Sequence, residues 1–349
     1  PWPPHDASEE EAALRVIRSG RWGRGEGEEV DRLEAELAGF IGVEHVRAVT
    51  NGTQALELGL ACLGLQPGDE VMVPACTYIS TGSSVLNRGA VPVPVDVDPD
   101  TLCIDAEQLE AAVTPRTRAI LPVHFAGNVC DMAAIKKIAE RHGLPVMEDA
   151  AHALGATRSG ERAGAIGRCA IFSFQSNKHI TAGEGGAFCT SDPALAEQTY
   201  PRHSVGRPQG DPGYTHLMPA SNLRMSEIHA ALLRAQLARL PGHIAQREKG
   251  AAHLDRLFAQ VPGVRPLVRQ PGVGTHSHYM YMMWLDPEVF RGRDAGAVAG
   301  SLREAGLPAR VCYPPLHKTP MFSRKSLEAE GFSLSRGRPL PDYAGISLP

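Results

Sequence analysis

From about residue 45 to 190 the chain alternates short runs of β-branched and apolar residues with longer stretches of helical periodicity. A helix between two strands carries the chain back to the edge where the first strand began. The alternation therefore confines this segment to a mostly parallel sheet with helices packed on its faces. Seven strands are predicted, at 45–50, 70–73, 91–97, 119–124, 145–148, 170–174 and 186–190. The helices between them are predicted at 53–65, 79–88, 106–112, 132–142 and 193–200. A Gly/Pro-rich loop over 206–219 follows, then a helical stretch from 225 to about 258 that is interrupted near Pro241-Gly242. The remainder mixes a strand-like run at 278–285 with a helix at 293–305 and ends strand-like at Ser347-Leu348-Pro349. The expected architecture is α/β: a large domain over 1–240 and a smaller α+β domain over 241–349.

Composition removes several classes of function. With 349 residues, 43% hydrophobic, 21% charged and a net charge of -4, the chain reads as a soluble globular protein and not as a nucleic-acid binder. The longest apolar stretch, 55–65, is interrupted by Glu57, so no membrane span is expected. The opening Pro1-Trp2-Pro3-Pro4 runs at once into acidic residues and reads as no secretory signal. Seven scattered cysteines without a CxxC pair suggest neither a disulfide framework nor a zinc knuckle, which makes the cytoplasm the expected compartment. His276 and His278 form an HxH pair without an evident third ligand, and no metal is assigned to them.

Three segments carry chemistry. Lys178, one of only six lysines, lies between the strand-like Phe172-Ser173-Phe174 and a Gly-rich turn at 183–186. Poor polar cover there lowers an amine's pKa and makes it a nucleophile toward an aldehyde, although a surface-loop lysine would look similar. Asp149 closes a strand, at the edge where open α/β sheets place ligands, and also suits a helix cap. Asn51-Gly52-Thr53 joins a strand to a helix start, where free N–H groups and a hydroxyl favour a phosphate or simply make an ordinary turn. An imine-forming lysine, a carboxylate for a pyridine nitrogen and a phosphate cradle together are what pyridoxal 5'-phosphate (PLP) requires. The carboxylate–pyridinium attraction is worth about 4 kcal/mol at about 4 Å with an effective dielectric near 20.

Beyond these, RWGRGEGEEVDRLE at 21–34, NGTQALEL at 51–58, PGDEVMVPACTY at 67–78 and EDAAHALGA at 148–156 carry a family resemblance. It continues through FSFQSNK at 172–178, GEGGA at 183–187, SNLRMSE at 221–227 and YPPLHKTPMF at 313–322. Over nearly its whole length the chain resembles the DegT/StrS family of PLP-dependent sugar aminotransferases, of the PLP-dependent transferase fold type I. The resemblance implies that Lys178 holds the cofactor as a Schiff base and moves a proton between Cα and C4′. It places Asp149 at the pyridine nitrogen, His152 near the phenolic oxygen, Gly52, Thr53 and Ser173 at the phosphate, and Tyr78 on the ring face, with Gln175 in the same pocket. It also implies that Asn222 reaches the phosphate of a neighbouring subunit, and hence a homodimer with shared sites. Trp22, Arg24, Tyr313 and His317 fall in segments that line the family's substrate cavity, and 202–207 either joins them or begins a mobile loop. Family chains usually continue past such an SLP segment into a final helix.

The resemblance implies a transaminase that takes an amino group from L-glutamine or L-glutamate and gives it to a keto-sugar, keto-cyclitol or related cyclic ketone, in secondary-metabolite (antibiotic) biosynthesis. FSFQSNKHITAGEGG, RHSVGRP, SNLRMSE and SHYMYM look instead like 3-amino-5-hydroxybenzoate synthase, which dehydrates and aromatises its substrate with the same cofactor and lysine. YPPLHKTPMF looks more like the sugar and cyclitol aminotransferases, and transamination leads. A non-catalytic PLP sensor is the third reading. Lys178 and Asp149 together argue against it, because a sensor needs no proton shuttle.

Overall fold

The computed structural model describes residues 2–211, 213–330 and 341–348. Its strands are β1 (His45–Val49), β2 (Glu70–Pro74), β3 (Val91–Val95), β4 (Thr117–Ile120) and β5 (Met147–Asp149). A two-residue hairpin, β6 (Thr157–Arg158) and β7 (Glu161–Arg162), precedes β8 (Cys169–Ser173) and β9 (Gly186–Thr190). Ladders join β3, β2 and β4 on one side and β5, β8, β9 and β1 on the other. The two groups meet where Ile120 N–H donates to Pro145 O at 3.0 Å and Asp149 N–H donates to Pro122 O at 2.9 Å. Parallel bridges Ile120–Val146 and Val123–Asp149 complete the junction. The seven expected strands thus form one sheet in the order β3-β2-β4-β5-β8-β9-β1, parallel except for β9, which runs antiparallel to β1 and β8.

Strand alternation builds a core on each face. Met72, Ile120 and Phe172 point into a cluster with Leu33, Leu37 and Leu233, while their neighbours Val71, Val73, Leu121 and Ile171 point into another with Leu58, Leu60 and Phe188. All five residues of β2 are buried, as expected for a strand covered on both faces. The antiparallel β9 needs no crossover helix, so its connection from β8 is free to be an irregular loop, and this loop carries Lys178.

Several elements depart from the sequence expectations. Helices Ala7–Ser19 and Glu29–Ile41 were not predicted. The first buries only Glu9, Ala12 and Val16, too sparse a stripe to read from an acidic run, and is started by an Asp6/Glu9 capping box. The break in the long helical stretch lies at Ala238–Arg239; Pro241 falls in the first turn of helix Leu240–Phe258, where a missing N–H costs nothing. The strand predicted at 278–285 shrinks to β11 (Met283–Leu285), antiparallel to β10 (Val264–Pro266). His278 has φ of 45°, which no strand accommodates, and Tyr279 N–H donates to Ala126 O instead. Among the described residues of the chain end, 341–348, there is no strand: Tyr343–Gly345 is a 3-10 turn, and the buried Tyr343 hydroxyl donates to Pro92 O at 3.0 Å, while Pro349 of the expected strand lies outside the described residues.

Glu148 organises the loop that closes β5 from below. Its carboxylate, fully buried, accepts from Gly164 N–H at 2.9 Å, Ile166 N–H at 2.8 Å and Gly167 N–H at 2.6 Å, and lies 2.7 Å from His124 Nε2. Cys130 N–H donates to His124 Nδ1, which leaves Nε2 as the donor to Glu148. Burial opposes ionisation, but these partners outweigh it and hold the Glu148 pKa below its ordinary value. Glu148→Gln keeps the shape but turns an NH₂ toward buried donors. We expect it to cost roughly 2 to 4 kcal/mol, read as a lowered urea midpoint at neutral pH.

Candidate active site

The parallel strands direct β1, β2, β5 and β8 to end at one edge of the sheet, where the residues following them converge. After β1, Asn51 caps helix Gly52–Cys62, its side chain accepting from Gln54 N–H at 2.9 Å. A Cβ on Gly52 would lie 2.8 Å from Ser173 Cβ, so the helix start is pressed against the end of β8. A Cβ on Gly186 would come within 2.5 Å of the Asn51 carbonyl and 2.7 Å of Gly52 N, so only glycine lets β9 pass beneath this turn. Thr53 Oγ1 lies 2.7 Å from Ser80 Oγ, at the start of the helix that follows β2.

Asp149, at the end of β5 and 5% exposed, accepts from Thr81 Oγ1 at 2.9 Å and from Ala151 N–H at 3.2 Å. Burial raises its pKa against the pull of those donors and of Lys178. Lys178 is half-buried, its Nζ 4.3 Å from the centre of the Tyr279 ring. Desolvation lowers its pKa to about 8, opposed by the attraction of Asp149. His152, 2% exposed, stacks on Tyr279 at 4.2 Å and faces Phe125 edge-on at 5.9 Å. Burial, reinforced by Lys178 and His179, holds its pKa well below the ordinary histidine value, and its Nδ1 has no hydrogen-bond partner among the described residues. Tyr78 is 53% exposed and meets Tyr313 edge-on at 5.9 Å, with Tyr313 in turn 6.5 Å from His152.

Gly52 with Ser173, Thr53 with Ser80, Asp149 with Thr81, and Lys178, His152 and Tyr78 through Tyr279 and Tyr313 thus form neighbouring groups of contacts at this edge of the sheet. Gln175 and Asn222 lie apart from them in their side-chain bonding. Gln175 donates to Ser176 Oγ at 2.6 Å and accepts from Asn177 N–H at 3.0 Å, both within its own loop. Asn222 is exposed, its Oδ1 accepting from Arg224 N–H at 3.3 Å. Of the other residues weighed, Arg24 pairs with Glu34 at 2.6 Å, Trp22 is exposed and His317 is buried. His276 and His278 stack on each other at 3.9 Å, and among the described residues no group of three or more His, Cys, Asp or Glu is placed to hold a metal ion.

Ser80, Thr81, Phe125 and Tyr279 were missed. The two hydroxyls start a helix just beyond β2, a signal as good as the one that marked Thr53. Tyr279 was hidden inside an expected strand. With a pKa near 8, half of the Lys178 amines are neutral at that pH, where an ordinary lysine is almost wholly charged. Labelling of Lys178 in the cofactor-stripped protein by an amine reagent, followed by peptide mass mapping, is expected to rise through about pH 8 and level off above it.

Residues 4–336 match the DegT/DnrJ/EryC1/StrS aminotransferase family. The 3-amino-5-hydroxybenzoate synthase of Amycolatopsis mediterranei (strain S699) is 44% identical over 323 residues, covering 92% of this chain and 83% of that protein. The L-glutamine:2-deoxy-scyllo-inosose aminotransferase of Streptomyces paromomycinus is 39% identical over 345 residues, covering 93% and 81%. A crystal structure of 3-amino-5-hydroxybenzoic acid synthase superposes with a TM-score of 0.88 at 44% identity, covering 92% of this chain and 84% of that one. The chain belongs to the DegT/DnrJ/EryC1/StrS aminotransferase family and is a PLP-dependent aminotransferase of fold type I.

Proposed function

We propose that this enzyme moves an amino group from L-glutamine or L-glutamate to a keto-sugar, keto-cyclitol or related cyclic ketone in secondary-metabolite biosynthesis. The observation that carries the reading is the set at the strand ends: a lysine with a pKa near 8 beside a buried aspartate and a buried imidazole nitrogen that has no partner among the described residues. These residues fit PLP. Asp149 retains accepting capacity for a pyridine N–H, His152 Nδ1 lacks a partner among the described residues, and the tight Gly52–Ser173 approach leaves a side-chain-free cradle at a helix N-terminus. Gly52, Thr53 and Ser173 would hold the phosphate, and Tyr78 would cover the ring face. We assign Asn222, which is exposed, to the site of a second copy in a homodimer, and Gln175 to the rim of its own. The expected division into 1–240 and 241–349 remains part of this reading.

Bound there, PLP supplies an electron sink for the amino-acid Cα. The chain supplies the rest. Lys178, neutral in a useful fraction near pH 8, takes a proton from Cα of the donor and returns one when the acceptor is aminated. Asp149 keeps a positive charge on the cofactor nitrogen favourable, and Thr81 fixes the orientation of its carboxylate. His152 is held flat by Tyr279 and stays uncharged, so it offers a hydrogen bond without competing for the proton.

A second reading is dehydration and aromatisation of an aminocyclohexenone-type substrate. It is supported by the 44% identity to the Amycolatopsis synthase. Visible absorption separates the two. We expect the band of the PLP-loaded protein to convert on adding L-glutamine or L-glutamate, and the band to be missing in Lys178→Ala. A band indifferent to both donors would favour the second reading. Gly186→Ala, by forcing the Asn51–Gly52 turn away, is expected to weaken PLP retention by about tenfold or more in equilibrium dialysis while leaving the circular dichroism spectrum unchanged.

A further inference from the structure

Two of the seven cysteines face each other at the mouth of this site. Cys76 lies just beyond the end of β2, two residues before Tyr78, and Cys312 directly precedes Tyr313. Their Sγ atoms are 3.8 Å apart, and Cys76 Sγ is also 3.8 Å from Tyr313 O. The segments that carry them are already fastened on either side. Leu316 N–H donates to Ala75 O at 2.8 Å, and the Tyr78 and Tyr313 rings meet edge-on.

We propose that Cys76 and Cys312 are an oxidation site, forming a reversible disulfide that locks the 312–316 segment onto the end of β2. Closing 3.8 Å to a bond of about 2 Å is a short movement of the two sulfurs, and the flanking contacts keep both segments together while it is made. Both residues are partly exposed, whereas Cys62, Cys103, Cys130, Cys169 and Cys189 are buried. Reagents in solution therefore reach this pair first. The hydrogen bond from Cys76 lowers the Cys312 pKa, which favours Cys312 as the attacking thiolate.

With hydrogen peroxide as oxidant, the Cys312 thiolate attacks one peroxide oxygen, the O–O bond breaks, and hydroxide leaves from a sulfenic acid. The Cys76 sulfur then attacks the sulfenic sulfur, forming the S–S bond and releasing the oxygen as water. The two thiols lose two electrons, and the peroxide becomes two waters that take up both thiol protons.

The test treats the PLP-loaded protein with low-millimolar hydrogen peroxide, then titrates free thiols and maps peptides without reduction. The expected result is a fall from seven thiols to five, one crosslinked peptide pair joining Cys76 to Cys312 with the mass of two hydrogens lost, and full recovery in dithiothreitol. In Cys312→Ser the crosslinked pair is expected to vanish. A titre that stays at seven, a crosslink through any other pair such as Cys103 and Cys130, or oxidation of Cys76 or Cys312 to single sulfinic acids without a crosslink would overturn the proposal.

Discussion

The sheet edge that carries the candidate site depends on two adjacent buried carboxylates of β5, Glu148 and Asp149. Because strand side chains alternate, Glu148 and Asp149 project to opposite faces and meet opposite environments. Glu148 is surrounded by three backbone N–H groups and His124, and is stabilised as an anion under the sheet edge. Among the described residues Asp149 has only Thr81 and Ala151 N–H as donors, and burial pushes its pKa the other way. One carboxylate is satisfied and structural. The other is left with accepting capacity, which is what a site for a cationic ring nitrogen needs.

The loop that holds Lys178 depends on the single antiparallel strand. Had β9 been parallel, a crossover helix would have had to follow β8, and the lysine would have been carried away from the strand ends. Gly186 allows the chosen topology to close, since any side chain there would strike the Asn51–Gly52 turn. Packing at one glycine thus couples the lysine loop to the Asn51–Gly52 turn.

The parallel sheet was legible because its strands are buried on both faces and read as continuous apolar runs, as at Val71–Met72–Val73. Lys178, Asp149 and Gly52 were legible because each breaks such a pattern at a strand end. The first helix was not, because Ala7–Ser19 presents few apolar residues to the core, whereas Glu29–Ile41 could have been read from the spacing of Val30, Leu33, Leu37 and Ile41 and was not. Tyr279 was not, because a positive φ at His278 is decided by the docking of that segment on Ala126, a contact with no local signature. Thr81 could have been read and was not. Its hydroxyl follows a strand end just as Thr53 does.

The contacts around His152 join residues that are far apart along the chain: Phe125, Tyr279 and Tyr313. Phe125 and His152 lie within the part of the chain that builds the sheet, whereas Tyr279 and Tyr313 come from beyond residue 270, so synthesis delivers half of this aromatic wall after the sheet that supports it. During synthesis, strands β1 to β9 can pair while residues beyond 270 are still inside the ribosome, and for that interval Lys178 has no Tyr279 against it. The Lys178 amine is therefore among the last groups at this sheet edge to acquire its final surroundings, after the backbone that presents it is in place.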